Sequence, residues 1–283
     1  MANVLDGNAI SQLIKDEIKA EINELNIKPK LCVILVGDNA ASKIYVKKKC
    51  EACALVGIES ETYYFTEDEY LNVKAKVNEL NYDDSVHGIL IQLPLPKDWD
   101  QNTVFNIINP KKDVDVFNPI NVGLLVQNRP RFLPPTPQAV QQIFKRSNLS
   151  LAGKHVVVIN RSNIVGKPLS NMLIQDDGLY ANATVTVCHD NTPPEILKQI
   201  CLSADVIVVA VGIPDFLTTD MVTERQVIID VGITRVGKKI VGDVHPDVQN
   251  KVSWITTVPG SVGPCTIACL LVNTLEAFKM VKS

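Results

Sequence analysis

Two successive series of short apolar runs and helix-length segments most constrain how this 283-residue chain folds. The first series extends from residue 31 to residue 92 and the second from residue 155 to residue 231. Parallel strands joined by helices are covered on both faces, so their sequences are almost purely apolar. The pattern predicts an α/β protein made of two doubly wound domains. The second is predicted to be a Rossmann-type dinucleotide-binding domain, with a cleft between the two.

The boundary is predicted from a change in character over residues 93–137, which contain eight prolines and few periodic runs. Such a segment is typical of loops that line a site. We therefore predict a first domain at 1–137 and a second at 138–263, with the C-terminal helix 264–283 packing back on the first. Pro137 is expected to open a helix.

Predicted helices cover 10–25 (capped by Asp6), 40–56, 67–80, 137–146, 166–175, 194–202 and 264–281. Predicted strands cover 31–36, 58–65, 86–92, 155–159, 184–189, 205–211 and 227–231. A hairpin is predicted over 234–244, with its turn at Gly237-Lys238-Lys239.

Composition and charge exclude several classes of protein. The net charge of −3 does not favour nucleic acid or a membrane surface as a partner. No apolar run exceeds six residues and no leader pattern begins the chain, so neither a membrane span nor a signal peptide is expected. Seven scattered cysteines favour reduced thiols and a cytoplasmic location. Cys50 and Cys53 lie in a predicted helix without a second pair, so no metal site is predicted.

Ser42, Tyr45 and Lys49 are spaced so that a helix presents all three on one face. A solvated basic face, with Lys47 and Lys48 beside Lys49, is the alternative explanation. Two further segments follow in the loop-rich region. Gln92-Leu93-Pro94-Leu95-Pro96 forms either a rigid polar wall or a plain strand end, and Lys112-Asp113-Val114-Asp115 either a binding loop or an ordinary turn.

The segment Asn160–Pro168 joins a predicted strand to a predicted helix. Dinucleotide folds hold a pyrophosphate at this place, on backbone N–H groups and a helix N-terminus. Only Gly166 remains of the usual glycine pattern, so the segment alone is a weak nucleotide signal.

Taken together, these segments resemble the bifunctional methylenetetrahydrofolate dehydrogenase/methenyltetrahydrofolate cyclohydrolase family over residues 3–280. The blocks around Lys49, Gln92, Asp115 and Gly166 occur in the family's order. They are followed by Pro259-Gly260-x-Val262-Gly263-Pro264.

The resemblance implies oxidation of 5,10-methylenetetrahydrofolate and hydrolysis of the product to 10-formyltetrahydrofolate, within one-carbon metabolism and purine biosynthesis. It implies catalytic roles for Lys49, Tyr45, Gln92 and Asp115. In these roles Gln92 tunes Lys49, Tyr45 stacks on the folate and Asp115 binds the pterin edge. The residues expected to bind substrate are Ser42, Tyr45, Gln92, Pro94, Asp115, Pro259 and Gly260. The residues expected to bind the cofactor are Asn160, Arg161, Ser162, Ile164, Val165, Gly166, His189, Asp190, Gly212, Ile213, Gly232 and Ile233. A homodimer is also implied.

Several positions depart from the family's usual pattern. Val116 and Asn160 replace glycines, which often supply a positive φ or a close backbone approach. We expect Asn160 to mimic glycine in the left-handed region, and Val116 either to have a negative φ or to lie in a shifted loop. Other departures are Asn118, Pro135, Ala139, Thr257, Ser261 and Cys265.

The cofactor depends on Asp190, where the family usually has serine beside the 2′-phosphate of NADP. An acidic residue at the end of the second strand favours the free ribose of NAD, whereas Arg161 can pair with a phosphate. The family favours NADP, and NAD is the alternative. If Asp190 does not face the ribose, it points to solvent or pairs with Arg161.

For lysine chemistry, we expect burial and the neighbouring Lys47 and Lys48 to lower the pKa of Lys49 towards neutrality. Two other functions compete with the folate enzyme. One is a two-domain dehydrogenase acting on shikimate or an amino acid, and the other is an inactive folate-binding relic.

Overall fold

The computed structural model describes residues 1–237 and 239–282. Its strands are β1 (Asn3–Leu5), β2 (Lys30–Val36), β3 (Glu59–Phe65), β4 (Gly88–Ile91), β5 (His155–Ile159), β6 (Thr184–Cys188), β7 (Val206–Val209), β8 (Val227–Asp230), β9 (Thr234–Val236), β10 (Lys239–Val241) and β11 (Trp254–Thr256). Its α-helices are α1 (Gly7–Leu25), α2 (Ala40–Val56), α3 (Tyr70–Tyr82), α4 (Gln101–Asn106), α5 (Pro119–Val126), α6 (Pro135–Arg146), α7 (Gly166–Leu173), α8 (Pro194–Ser203) and α9 (Val262–Lys282). Short 3-10 helices cover Gly178–Tyr180, Thr219–Met221 and Pro246–Asn250.

The chain divides into two compact units. The six-stranded unit contains Met1–Ser11 and Thr136–Thr266, and the three-stranded unit contains Gln12–Pro135 together with the chain from Ile267 onwards. The predicted α/β class is therefore confirmed, with one sheet of parallel strands in each unit.

The three-stranded unit has the strand order β3-β2-β4. The fully buried run of β2 explains why its sequence shows no alternation of polar and apolar residues. The chain passes from β2 to β3 on one side and then to β4 on the other. The strand order therefore reverses at β2, and in such sheets ligands bind beyond the carboxyl ends of the strands at this point.

The six-stranded unit has the order β1-β11-β8-β7-β5-β6. Its core is formed by the apolar faces of β5, β7 and β8 against residues such as Leu197 and Val248. The strand order reverses at β5, between β6 and β7. A separate two-stranded antiparallel sheet is formed by β9 and β10, as the sequence predicts. Lys238, in the predicted turn, lies outside the described residues.

The division of the chain differs from the predicted boundary at its N-terminal end. Residues 1–11 group with the six-stranded unit because β1 pairs in parallel with β11, with Val4 opposite Ile255. A strand of three residues has too little pattern to be recognised locally. Of the C-terminal helix, the part from residue 267 groups with the three-stranded unit. Ser283 lies outside the described residues.

Two helices, α4 and α5, occupy the segment predicted to be loops. Each is short and begins at a polar cap, where Asp100 accepts from Asn102 N and Asn118 accepts from Ile120 N. Among the described helices, α9 alone is long and apolar enough to cross a membrane, but 61% of that stretch is buried within the protein. Burial of this kind is typical of a core helix.

Candidate functional site

Helix α2 places the first predicted cluster. The helix begins where Asn39 Oδ1 accepts from the N–H groups of Ala41 and Ser42, and it ends at Gly57 with a φ of 89°. Ser42 is buried, whereas Tyr45 and Lys49 are half-buried. Burial raises the pKa of the Tyr45 hydroxyl. This face is therefore partly removed from solvent, unlike a solvated basic face.

The carbonyl of Leu93 organises the polar groups around Lys49. Ser42 Oγ donates to this carbonyl at 3.3 Å, and Gln92 Nε2 donates to it at 2.7 Å. The second contact orients the Gln92 amide so that its Oε1 accepts from Lys49 Nζ at 3.0 Å. Gln92 thus holds the lysine amine with a neutral group, which adds no charge to raise the lysine pKa.

Asp115 interacts with Lys49 although the two are far apart in sequence. Asp113 pairs in parallel with Ile89 of β4, and the chain turns directly after it, with Val116 N donating to the carbonyl of Asp113, so that Asp115 lies in this turn. Burial raises the pKa of Asp115 to about 6, and the charge of Lys49 opposes that rise. Burial likewise lowers the pKa of Lys49, and the charge of Asp115 opposes that fall.

The expected contribution of Lys47 and Lys48 is wrong. Both side chains are exposed, and Lys47 Nζ lies 3.9 Å from Glu51 Oε1. Solvent screens charges in this position, so removal of Lys49 from water is what lowers its pKa.

The rest of the 112–116 segment is structural. Lys112 Nζ donates to the carbonyls of Leu80 and Asp83, and buried Asp113 accepts from Phe117 N, Asn118 N and Asn121 Nδ2. The expectation of a negative φ at Val116 is wrong, because its φ is 65°, and its side chain is buried. A β-branched residue is strained in this region.

Cys50 and Cys53 both lie on α2. Cys53 is buried, and Cys50 Sγ lies 3.5 Å from Thr62 Oγ1. Within residues 1–237 and 239–282, no group of three or more His, Cys, Asp or Glu residues is placed to hold a metal ion.

The six-stranded unit holds a cavity of about 750 Å³ at the carboxyl ends of β5, β6 and β7. Half of the predicted cofactor residues line it: Asn160, Arg161, Ser162, His189, Asp190 and Ile213. Ile164, Val165, Gly166, Gly212, Gly232 and Ile233 are not among the lining residues. The remaining lining residues, which the sequence did not single out, are Ile159, Thr192, Pro194, Leu197, Lys198, Val211, Phe216, Thr218, Asp220 and Met221.

Most of the missed residues lie in two segments, 192–198 and 211–221, that follow β6 and β7. The rule that ligands bind beyond the carboxyl ends of parallel strands would have indicated these segments. Leu197, Phe216 and Met221 add apolar surface, which suits a planar heterocycle.

The loop after β5 is held by the side chain of Asn160. Its Oδ1 accepts from Ser162 N at 2.8 Å and from Gly166 N at 2.9 Å, and its Nδ2 donates to the carbonyl of Ala210. Asn160 does not adopt a positive φ, so the expectation that it mimics glycine in the left-handed region is wrong. The physical reason is that its amide group, and not its backbone, closes the loop.

Asp190 pairs with Arg161 across this cavity, through Oδ1 and Nη2. Pairing with Arg161 was one of the alternatives to an Asp190 that faces the ribose. The carboxylate and the guanidinium are both partly exposed, so a ligand can reach them. The Nδ1 atom of the neighbouring His189 accepts from Asn191 N at 3.2 Å, which shapes the turn after β6.

Pro259 and Gly260 belong to the six-stranded unit, just after β11. The bond before Pro259 is cis, as is the bond before Pro94 in the other unit. Gly260 has a φ of 123°, and a Cβ atom there would lie 3.0 Å from Asn8 Nδ2. A substitution at this position would therefore be strained.

Fold and sites together define a two-domain α/β enzyme with a dinucleotide-type unit. A family model described as the tetrahydrofolate dehydrogenase/cyclohydrolase catalytic domain matches residues 5–115, and the corresponding NAD(P)-binding domain matches residues 134–282. The chain is 49% identical to the bifunctional protein FolD of Agathobacter rectalis, over 99% of this chain and all of that protein.

Solved structures agree with these matches. The FolD methylenetetrahydrofolate dehydrogenase/cyclohydrolase of Campylobacter jejuni is 46% identical, with a TM-score of 0.93 and 99% of each chain covered. The Trypanosoma brucei enzyme, solved with NADP cofactor and an inhibitor, is 34% identical, with a TM-score of 0.92 over 99% of this chain and 98% of that one. The chain belongs to the tetrahydrofolate dehydrogenase/cyclohydrolase family.

Proposed function

We propose that this protein oxidises 5,10-methylenetetrahydrofolate to the methenyl form with NADP⁺ and hydrolyses that product to 10-formyltetrahydrofolate. The observation that carries the proposal is the half-buried Lys49. Its amine is held by Gln92, and its pKa is lowered by burial. Family membership supports the same pair of reactions, and it leaves the shikimate-type or amino-acid dehydrogenase without support.

For the oxidation, the cavity of the six-stranded unit fits a dinucleotide. Arg161 supplies a cation for a phosphate, while Leu197 and Phe216 supply apolar walls for a heterocycle. The dinucleotide, when bound there, would supply the acceptor for a hydride from the one-carbon bridge of the folate. The protein contributes mainly position and orientation to this step. We assign the remaining predicted cofactor residues to the same ligand.

For the hydrolysis, Lys49 acts as the general base. Water adds through its oxygen to the cationic methenyl carbon, while the neutral amine of Lys49 takes up the released proton. The carbon–nitrogen bond of the ring then breaks, and the departing nitrogen receives a proton. A lysine with an ordinary pKa of about 10.4 is almost fully charged at neutral pH, so the lowered pKa is essential to this role.

The other residues of the three-stranded unit bind the folate. We assign Tyr45 to stacking on its aromatic ring and Asp115 to hydrogen bonds with the pterin edge. Ser42 and Pro94 flank Gln92, and Pro259 and Gly260 are assigned to the substrate as well. The support for Asp115 is its raised pKa of about 6, since a half-buried carboxyl next to Lys49 is placed to bind a polar heterocycle.

We further propose a cytoplasmic homodimer that supplies one-carbon units to purine biosynthesis. Seven free cysteines, six of them buried, suit a reducing compartment. Strand β6 is an edge of its sheet, and Val187 on it is 40% exposed, which supports pairing of two copies through the six-stranded unit.

The proposed function is tested by incubating the protein with 5,10-methylenetetrahydrofolate and NADP⁺ or NAD⁺ while recording the ultraviolet spectrum. We expect reduced NADP to form with little methenyl product accumulating. In Lys49→Met, the cyclohydrolase rate should fall at least about 100-fold, as loss of a general base does. Dehydrogenase activity should persist, so the methenyl form should accumulate.

Lys48→Met is the matched control, because Lys48 is adjacent in sequence but exposed. It should leave both rates unchanged. Intact hydrolysis in Lys49→Met would overturn the assignment of the base. Tight folate binding without turnover in the unmodified protein would establish the inactive folate-binding relic instead.

A further inference from the structure

Two buried carboxylates of the six-stranded unit have no part in the steps above. Asp230 is the last residue of β8, and Asp243 follows β10. Their exposed fractions are 4% and 0%. Buried carboxylates are rare unless other groups hold them, so their contacts indicate what they are for.

Asp230 fastens the segment after β10 to the turn after β8. Its Oδ1 accepts from Gly232 N and Asp243 N, both at 3.0 Å, and its Oδ2 accepts from Val244 N at 3.0 Å. Its own N–H donates to Thr256 Oγ1 on β11 at 2.7 Å. Asp230 is therefore fixed, and it fixes the backbone of Asp243.

Asp243 in turn fastens the turn after β7. Its Oδ2 accepts from Val211 N at 2.6 Å and from Gly212 N at 3.0 Å. Gly212 has a φ of 70°, and its carbonyl accepts from Thr234 Oγ1 at 3.2 Å. Contacts from both sides thus hold the turn 211–213 in a conformation that favours glycine.

The turn after β8 approaches the same carboxylate. A Cβ atom on Gly232 would lie 2.2 Å from Asp243 Oδ1, so only glycine fits there. Within the described part of the chain, Oδ1 is buried and has no hydrogen-bond partner. The fold therefore retains a carboxylate with one oxygen unsatisfied, although such burial is unfavourable. A role for the other oxygen in holding turn 211–213 accounts for this.

Turn 211–213 lies on the side of the cavity that is opposite to the Arg161–Asp190 pair. The pair follows β5 and β6, whereas the turn follows β7, and β5 separates β6 from β7 in the sheet. A dinucleotide binds across the crevice at such a reversal of strand order, with one half on each side. Val211 and Ile213 of this turn line the cavity.

We infer that Asp243, with Asp230 behind it, is a positioning residue that fixes turn 211–213 against the redox half of the dinucleotide. This inference rests on the proposed dehydrogenase function. Asp243 touches neither substrate nor cofactor in this role and acts through the turn. It should therefore affect hydride transfer without affecting the adenosine half or the Lys49 chemistry.

The test uses Asp243→Asn and Asp243→Ala in the full-length protein. Three quantities are measured: dehydrogenase kcat and KM for NADP⁺, the affinity for 2′,5′-ADP, and the hydrolysis of preformed methenyltetrahydrofolate. In the alanine variant, dehydrogenase kcat/KM should fall about 10- to 100-fold, as misplaced reactants do. Binding of 2′,5′-ADP and the hydrolysis rate should stay unchanged. Asparagine retains one acceptor oxygen and should restore part of the activity.

Asp205→Asn is the matched control, because Asp205 Oδ2 accepts from His155 N at 2.9 Å and Asp205 directly precedes β7, at the opposite end of that strand. It should leave hydride transfer unchanged. Unaltered dehydrogenase kinetics in both Asp243 variants would overturn the inference. Equal weakening of NADP⁺ and 2′,5′-ADP would also overturn it, since it would show general loss of structure. Failure of the proposed function would differ, because the unmodified protein itself would then reduce no cofactor.

Discussion

The ion pair between Arg161 and Asp190 has a direct consequence for cofactor choice. With both charges satisfied by each other, the guanidinium is only partly available to a 2′-phosphate, and the carboxylate repels that phosphate. In Asp190→Ser, the repulsion disappears and Arg161 is released. We expect the ratio of kcat/KM for NADP⁺ over NAD⁺ to rise about tenfold, which equals about 1.4 kcal/mol.

Asp220→Ser is the control for this measurement. Asp220 lines the same cavity and pairs with Lys198 at 2.6 Å. If the effect depends on the position of Asp190 and not on net charge, Asp220→Ser leaves the ratio where it was. An unchanged ratio in Asp190→Ser would place the 2′ position of the ribose away from Asp190.

Of the positions that depart from the family's usual pattern, Val116 alone has a positive φ. Its φ of 65° suits glycine, whereas its buried side chain contributes apolar packing. Comparing Val116→Gly with Val116→Ala separates these effects, because both remove most of the side chain. We expect the glycine variant to be more stable than the alanine variant by about 1 kcal/mol, measured by urea unfolding.

The same pair of substitutions at Val77 gives the opposite sign. Val77 is buried in the middle of α3, where glycine is less stable than alanine by about 1 kcal/mol. A glycine variant at position 116 that is less stable than the alanine variant would contradict the strain argument.

At the scale of elements, the sequence predicts the helices and strands whose ends are set by residues nearby in the chain. Helix α2 was predicted with its observed ends, because Asn39 caps it and Gly57 terminates it. The start of α3 was predicted three residues early, since Glu67 to Glu69 form a turn in which Glu69 Oε2 accepts from Thr66 N. Strands β1 and β11 have three residues each and are fixed by pairing with strands distant in sequence, β1 with β11 and β11 with β8, so neither has a local signal.

In the candidate site, too, placements set by nearby residues could be predicted, and placements set by distant contacts could not. The spacing of Ser42, Tyr45 and Lys49 could be read from one helix. The placement of Asp115 could not, because it follows from the pairing of Asp113 with Ile89. The resemblance to a family supplied it instead. Asp243 escaped notice because its five-residue neighbourhood shows no motif, and its role comes from contacts with turns distant in sequence.

The junction of β5 and α7 provides a test at this scale. A Cβ atom on Gly166 would lie 2.0 Å from the carbonyl oxygen of Asn160, so Gly166→Ala must push the loop and the helix apart. Overpacking of this kind costs about 1–3 kcal/mol. We expect NADP⁺ to bind about tenfold more weakly, as measured by calorimetry. This corresponds to a loss of about 1.4 kcal/mol in binding free energy.

Gly123→Ala is the matched helical control. Gly123 lies in α5, and a Cβ atom there would meet nothing within 4 Å. Alanine should therefore stabilise α5 and leave cofactor affinity unaffected. Equal affinity in Gly166→Ala would show that the loop tolerates displacement and does not bind the cofactor through its backbone.

At the scale of the whole molecule, buried carboxylates set how stability depends on pH. Burial raises the pKa values of Asp115 and Asp230 from 3.8 to about 6, and it raises that of Asp113 as well. The folded protein therefore binds more protons than the unfolded chain between pH 4 and pH 6. In that window the free energy of unfolding falls as the pH rises.

Other carboxylates act in the opposite direction at lower pH. A hydrogen bond from Lys198 lowers the pKa of Asp220 to about 2, and hydrogen bonds from Ser85 lower that of Asp83. Their contribution is complete above the unfolded pKa of about 4 and is lost as the pH falls below it. These carboxylates together are therefore expected to stabilise the fold most near pH 4.

We expect the free energy of unfolding to increase by about 2 kcal/mol between pH 7 and pH 5, with roughly equal shares from Asp115 and Asp230. Urea unfolding at the two pH values measures this difference. In Asp115→Asn, one of the two groups no longer titrates, so about half of the increase should vanish. Asp190→Asn, at an exposed site, should retain all of it. A stability that declines steadily from pH 7 to pH 5 would show that burial of these two carboxyls does not control the profile.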